Sequence, residues 1–295
     1  MKIHKWMSVL ATVVMLAAPA ALSAQAQAVK TPRPAAAVKK TAAKPEFSFL
    51  NGKTGTASAS VFSEDQLTAA MNDYLGTQIK NFVYTDSLAS GLAMLKSGRA
   101  DFMLTGDIAA DYISQRNPEY KTVIFTRNNS LSMVLRHADV KLRDSLNYAI
   151  GKLKASGKGA ELYKTWVTGL PVGREPAMPK TEKTAYKETV YVGVSGDMPP
   201  LDYVAANGKP AGYNIALLAE ISKIIGKNIE VMSIESSARF AALQAKKIDV
   251  FFWERLPGPN EQNLMKDMPA VRNFHKNFIT TAPYCAFKTV ILLKK

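Results

Sequence analysis

Apolar positions along the 295-residue chain change their period several times, and the changes divide it. Residues 7–18 are almost wholly apolar, and residues 29–46 (VKTPRPAAAVKKTAAKPE) keep no period at all. From residue 47 helical and strand-like stretches alternate. Glu64–Tyr74 has helix character, and FVYT (82–85) is a short β-rich run. In SLASGLAMLKSG (87–98), Leu88, Leu92 and Leu95 share one helical face at i, i+4 and i+7. Ser87 suits the N-cap there and Gly98 the C-terminal stop. ADFMLTGD (100–107) reads as a buried strand with Asp107 just past its end, IAADYISQRN (108–117) as a helix and TVIFT (122–126) as a strand.

The same grammar recurs. SARFAALQAKKIDVFF (237–252) aligns without a gap on ASGLAMLKSGRADFML (89–104), pairing Ala93 with Ala241, Leu95 with Leu243, Arg99 with Lys247 and Asp101 with Asp249. A β-rich run precedes each copy, FVYT in one and IEVMSI (229–234) in the other. Two units in which strands alternate with helices imply two parallel-type α/β sheets. Ligands of open α/β sheets bind beyond the carboxyl ends of strands. Those positions are Thr105, Gly106 and Asp107 in the first unit and Trp253, Glu254 and Arg255 in the second. If the sheets face each other, an acid from one and a base with an aromatic from the other line a shared cleft.

The ends of the pattern set compartment and partners. MKIHKWMSVLATVVMLAAPAALSAQAQA (1–28) has a basic start, an apolar core and small residues at 24, 26 and 28, the form of a secretory signal peptide. Left uncleaved, it would tether the protein to a membrane. Residues 29–46 read as a disordered Lys/Pro/Ala tether. Of the formal charge of +14, Lys2 and Lys5 supply two and residues 29–46 a net four, leaving +8 for residues 47–295. Without an Arg-rich helix or interleaved aromatics, that excess reads as solvated surface lysines, and no nucleic-acid partner is expected. Cys285 is the only cysteine, so no intrachain disulfide forms, and His4, His137 and His275 are too scattered for a usual zinc site. No metal or cofactor is expected. Ser-His-Asp, G-x-S-x-G and H-E-x-x-H patterns are missing, and GKT (52–54) lacks the upstream glycine of a phosphate loop. No catalytic residue is assigned.

The second half opens TVYVGVSGDMPPLDYVAANGKPAGYNIALLAEISKIIGKNIEV (189–231). This resembles the first lobe of family 3 extracellular solute-binding proteins, with Pro199-Pro200-Leu201-Asp202-Tyr203 and Gly212-Tyr213-Asn214 standing at that family's turn and hairpin. FITTAPYCAFKTVILLKK (278–295) is similar to its strand that exits toward the hinge. LNGKTG (50–55) and SLASGLAMLKSGRADFMLTGD (87–107) resemble the second lobe, and DSLNYAIGKLKASGKGAELYKTWV (144–167) the C-terminal helical hairpin. The resemblance implies a two-lobed, type II α/β fold, each lobe a mixed, mostly parallel sheet flanked by helices. The order is a circular permutation of the family's: second lobe at 47–132, closing helices at 133–170, linker at 171–187, first lobe at 188–295. A permutation of this kind leaves a single covalent crossing near Arg127–Leu135.

Function and site follow from the resemblance. It implies a secreted, periplasmic or extracellular monomer that captures a small polar or charged, amino-acid-like molecule for the membrane permease of an ABC importer. The alternative is a dehydratase-like enzyme or a sensor acting on a small carboxylic acid, for which Asp107 and Glu254 offer two carboxylates. Asp107 stands where the family takes an ammonium group, and capping the following helix is its other reading. Where the family's carboxylate-gripping Arg is expected, this chain has Glu261, and Arg255 is the substitute candidate beside Glu254. Trp253 and Tyr203 are candidate aromatic walls, Tyr203 equally a core residue. Thr105, Ser195, Asp197, Ser58 and Ser60 complete the candidate ligand contacts.

Overall fold

The computed structural model describes residues 45–58, 63–174, 176–179, 186–235, 238–256 and 274–295. The signal segment, nearly all of the tether, Ser60 and Glu261 lie outside the described residues. The first unit begins with a 3-10 turn (Pro45–Leu50) and continues through β1 (Thr54–Ser58), α1 (Glu64–Leu75), β2 (Asn81–Thr85), α2 (Leu88–Ser97), β3 (Phe102–Gly106), α3 (Asp107–Arg116) and β4 (Tyr120–Arg136). Helices α4 (Val140–Ala155) and α5 (Lys158–Tyr163) follow, and α5 runs on into a single π turn (Lys164–Thr168). The second unit comprises β5 (Thr189–Val194), β6 (Asp197–Met198), β7 (Asp202–Val204), β8 (Pro210–Ala211), α6 (Tyr213–Ile225), β9 (Asn228–Ser233), α7 (Arg239–Gln244), β10 (Val250–Leu256), β11 (Phe278–Thr280) and β12 (Cys285–Lys294).

The boundaries have local causes. Helix α1 starts at a capping box, in which Ser63 Oγ accepts from Gln66 N and Gln66 Oε1 from Ser63 N. Ser87 caps α2 by accepting from Ser90 N, and Gly98 ends it in the left-handed region. The repeat read from the sequence holds in three dimensions. Strands β1, β2 and β3 form a parallel triplet in the order β2-β1-β3, and β5, β9 and β10 form another in the order β9-β5-β10. The aligned acids do the same work in each. Asp101 N donates to Thr54 O at 2.8 Å while its Oδ2 accepts from Thr54 N at 2.9 Å. Asp249 N donates to Tyr191 O at 2.7 Å while its Oδ2 accepts from Tyr191 N at 3.0 Å. Each acid therefore locks the third strand of its triplet to the first.

Two differences from the sequence reading are topological. The triplets are not separate sheets: antiparallel β12 and β4 join them along the path β2-β1-β3-β12-β4-β10-β5-β9. Nor is there a single crossing. Strand β4 pairs with β12 from Tyr120 onward and then with β10 through Leu135, while β12 starts opposite Leu131 and ends against β3, with Leu293 opposite Phe102. Both strands pass between the units, because the chain's last strand enters the first unit's sheet before it stops. The largest apolar cluster joins Leu146 and Leu153 of α4, Leu162 of α5, Trp166 and much of α6 to β5, β10 and the start of β12, and takes in Ile108 and Ala109 from the first turn of α3. Phe47, Leu50 and Ile291 share the main cluster under β1 and β2. No helix of the described residues is long and apolar enough to cross a membrane.

Candidate functional site

Strand β3 ends where helix α3 begins, and Asp107 is the first helical residue, with Gly106 as N-cap. Its Oδ1 accepts from Ile108 N at 3.0 Å and from Lys288 N, on β12, at 2.9 Å. One turn on lies Asp111. The two acids line a cavity of about 250 Å³ closed by Tyr112 and Gln115 of α3, by Tyr163 of α5 and Thr168 of the π turn that closes it, and by Pro200 of the second unit. Burial raises the Asp111 carboxyl above the usual range, the neighbouring Asp107 charge adds to this, and Lys288 opposes it. Burial pushes the Tyr163 hydroxyl up further still. Tyr112 has one ring face covered by the Arg116 guanidinium at 3.6 Å. Chemically the cavity offers carboxylates, hydroxyls and an amide, and fits a small polar solute bearing a positive or hydrogen-bond-donating group.

A second polar group lies behind the turn that carries Pro200. Asp202 is fully buried; its Oδ1 accepts from Ser195 Oγ at 3.0 Å and Gly196 N at 2.9 Å, and its Oδ2 from Asn214 Nδ2 at 2.7 Å. Desolvation pushes its carboxyl up to about 6 against the opposing pull of those three donors. Gly212 makes the arrangement possible. At φ 111° it lets Tyr213 N and Asn214 N reach Pro200 O and Leu201 O at 3.0 and 2.7 Å, where a Cβ would meet those same oxygens at 2.7 and 2.6 Å. Asn214 lies beside Tyr284, whose hydroxyl burial makes much less acidic. Tyr284 stacks on Tyr213 and meets Phe252 edge-on. The adjacent Cys285 thiol is buried and pushed up to about 12 by desolvation, which leaves it a core group rather than a nucleophile.

The expected contacts are dispersed. Asp107 lines the cavity. Ser195 is held by Asp202, while Asp197 sits opposite Tyr203 in the small antiparallel sheet, its Oδ1 buried with no partner among the described residues. Tyr203 is 8% exposed and Thr105 4%, so both belong mainly to the packing. Ser58 ends β1 opposite Thr85, half-buried. Glu254 and Arg255 pair in register with Ser132 and Leu131 on β4, which puts both on β10 beside one of the strands joining the units; the side chains of Trp253, Glu254 and Arg255 lie outside what is described. Asp111, Tyr163, Asp202, Asn214 and Lys288 were not singled out from the sequence. Asp202 and Asn214 stand inside the PPLDY and GYN segments, so the letters were visible but their pairing was not.

Residues 190–255 match the family described as bacterial extracellular solute-binding proteins, family 3. A probable amino-acid ABC transporter-binding protein of Haemophilus influenzae is 28% identical over 80 residues, which cover 27% of this chain and 30% of that protein. The match thus spans under a third of the curated relative's length. Among solved structures, the GluR0 ligand-binding core from Nostoc punctiforme in complex with (L)-glutamate is 9% identical with a TM-score of 0.39, covering 82% of this chain and 84% of that one. NikA from Staphylococcus aureus in complex with Ni(L-His)2 is 11% identical with a TM-score of 0.43, covering 76% and 60%. The segment holding β5, the Asp202 network, α6, β9 and most of β10 thereby carries the chain's similarity to the bacterial extracellular solute-binding proteins of family 3.

Proposed function

We propose that the protein is a solute receptor for an ABC-type importer, acting in the periplasm or outside the cell and handing a small polar or charged molecule to a membrane permease. The observation that carries this reading is the family match over residues 190–255, because that segment supplies Pro200, which lines the cavity with α3, and the Asp202 network behind it. The cavity between α3, the closing turn and Pro200 is the bound solute's place, with Asp107 and Asp111 receiving its cationic or donor end. The order of the two units is a circular permutation, with the lobes at 47–132 and 188–295. In support of this, β12 ends against β3 while the turn at Pro45–Leu50 packs on Ile291 of the same strand.

Native mass spectrometry of the purified protein, followed by calorimetric titration with whichever small molecule it carries, tests the reading. Stoichiometric, reversible binding without chemical change is expected. Turnover of the molecule, or no binding by any amino acid, amine or small carboxylic acid in a titrated panel, overturns it.

A further inference from the structure

Strand β12 carries an irregularity where it passes between the units. Its ladder with β4 runs in register from Cys285 to Phe287, slips before Thr289 and slips again before Val290. At the first slip Lys288 alone opposes residues 127 and 128 of β4, and at the second slip residue 125 of β4 is extra, so the surplus residues lie on β4. Extra residues of this kind bend the strand that carries them and raise the local twist of the pair. On the other side of β12, Lys288 N donates to Asp107 Oδ1. On the neighbouring residue, Asn129 Nδ2 donates to Thr289 Oγ1 at 3.0 Å across the two strands, both groups being buried. Thr289 itself faces Gly106, the residue before Asp107. Strand β12, the end of β3 and the start of α3 thus meet at one carboxylate, across β12 from the irregular stretch of β4.

We propose that Asp107 is a positioning residue, whose carboxylate holds β12 at Lys288 opposite the irregular stretch of β4 and so sets how β12 carries one unit against the other. A carboxylate accepting two backbone N–H groups is a charge-assisted and directional tie. The tie is reinforced by apolar packing, since Ile108 and Ala109 of the same helical turn lie in the core that holds Cys285 and Phe287. The cavity and the tie to β12 share this one side chain, so the cavity's shape depends on the strand position that Asp107 holds. The inference stands apart from the importer reading, because it concerns the ligand-free protein.

The decisive measurement is amide hydrogen exchange at Lys288 in the unliganded protein, for the native chain and for Asp107→Asn and Asp107→Ala. It is paired with the distance distribution between nitroxide labels at Asp73→Cys and Ala206→Cys, both exposed positions in different units. Cys285 is buried and stays unlabelled. Asparagine keeps the accepting oxygen without the charge; alanine removes it. The Lys288 amide is expected to be protected in the native and asparagine forms. It should exchange on the order of tenfold faster in the alanine form, with a broadened label distribution there alone. An acid whose role is only to pair with a cation predicts instead that neither substitution changes exchange in the absence of ligand, and that result overturns the proposal. So does an asparagine form as disturbed as the alanine form, or an unprotected Lys288 amide in the native chain. Should the alanine form fail to fold, Asp107→Ser, whose side chain is one bond shorter and does not hold both amides, is read in its place with the same expected and overturning results.

Discussion

Asp202 shows how one buried acid can hold a loop at a cost that depends on pH. Its carboxyl moves from 3.8 to about 6, so the folded protein binds a proton that the unfolded chain gives up. Stability therefore falls as pH rises from about 4 to about 6 and levels off above that, by about 3 kcal/mol if the whole shift is expressed. Chemical denaturation at a series of pH values should show this slope in the native chain and not in Asp202→Asn, which keeps an oxygen for Ser195 and Gly196 but does not titrate. Asp202→Ala leaves three donors facing an empty site and should lose about 2–4 kcal/mol at neutral pH. The neighbouring Gly212→Ala sets a methyl group 2.6 Å from Leu201 O at φ 111° and should lose about 3 kcal/mol in the same assay. Sequence patterns pointed to this stretch through its turn residues. They could not assign the acid, because a buried carboxylate and an exposed one are written with the same letter.

Elements were the most legible scale, because their signals are local. The helical face of Leu88, Leu92 and Leu95, the Ser87 cap and the Gly98 stop all lie within twelve residues, and each stands where the pattern puts it. The repeat was legible for the same reason, and the structure extends it to the backbone. Gly98 ends α2 at φ 73°, and Lys246, its aligned partner after α7, stands at φ 58°. A lysine in the left-handed region is strained where a glycine is not. Lys246→Gly should therefore raise stability by about 0.5–1 kcal/mol, read as a rise in denaturation midpoint with the denaturant slope unchanged. The gain is bounded by the extra freedom glycine gives the unfolded chain. Strand β12 was less legible. Its apolar run marks a strand but not a neighbour, and it pairs in turn with residues near 131 and near 102. The tie from Lys288 to Asp107 spans 181 positions, and no periodicity reaches that far.

At the scale of the whole molecule, the sequence showed two similar units and the resemblance supplied their order, but the single crossing was wrong for a physical reason. A break in the chain removes a crossing only if it falls on the crossing strand. Here the chain stops after β12 has entered the first unit, where Lys294 reaches Lys96 O and Lys295 N reaches Glu119 O. Both β4 and β12 therefore hold the units together, and the irregularity opposite Lys288 lies on the ladder they share. If the order is a permutation, connectivity should matter little beside packing. A chain in which Lys295 is joined to Glu46 by a short Gly/Ser linker, with new ends opened between Gly173 and Lys187, keeps every strand of the nine-strand path. Phe47 and Leu50 already pack on Ile291, four residues before Lys295, so the linker has only a short distance to bridge. The exchange of one loop closure for another is worth about 1 kcal/mol, which places the melting temperature within about 5 °C of the native chain. Circular dichroism melting of the rearranged protein checks this. A rearranged chain that does not fold would mean that the linker at 171–187 contributes packing of its own, and the permuted reading of the order would fall with it.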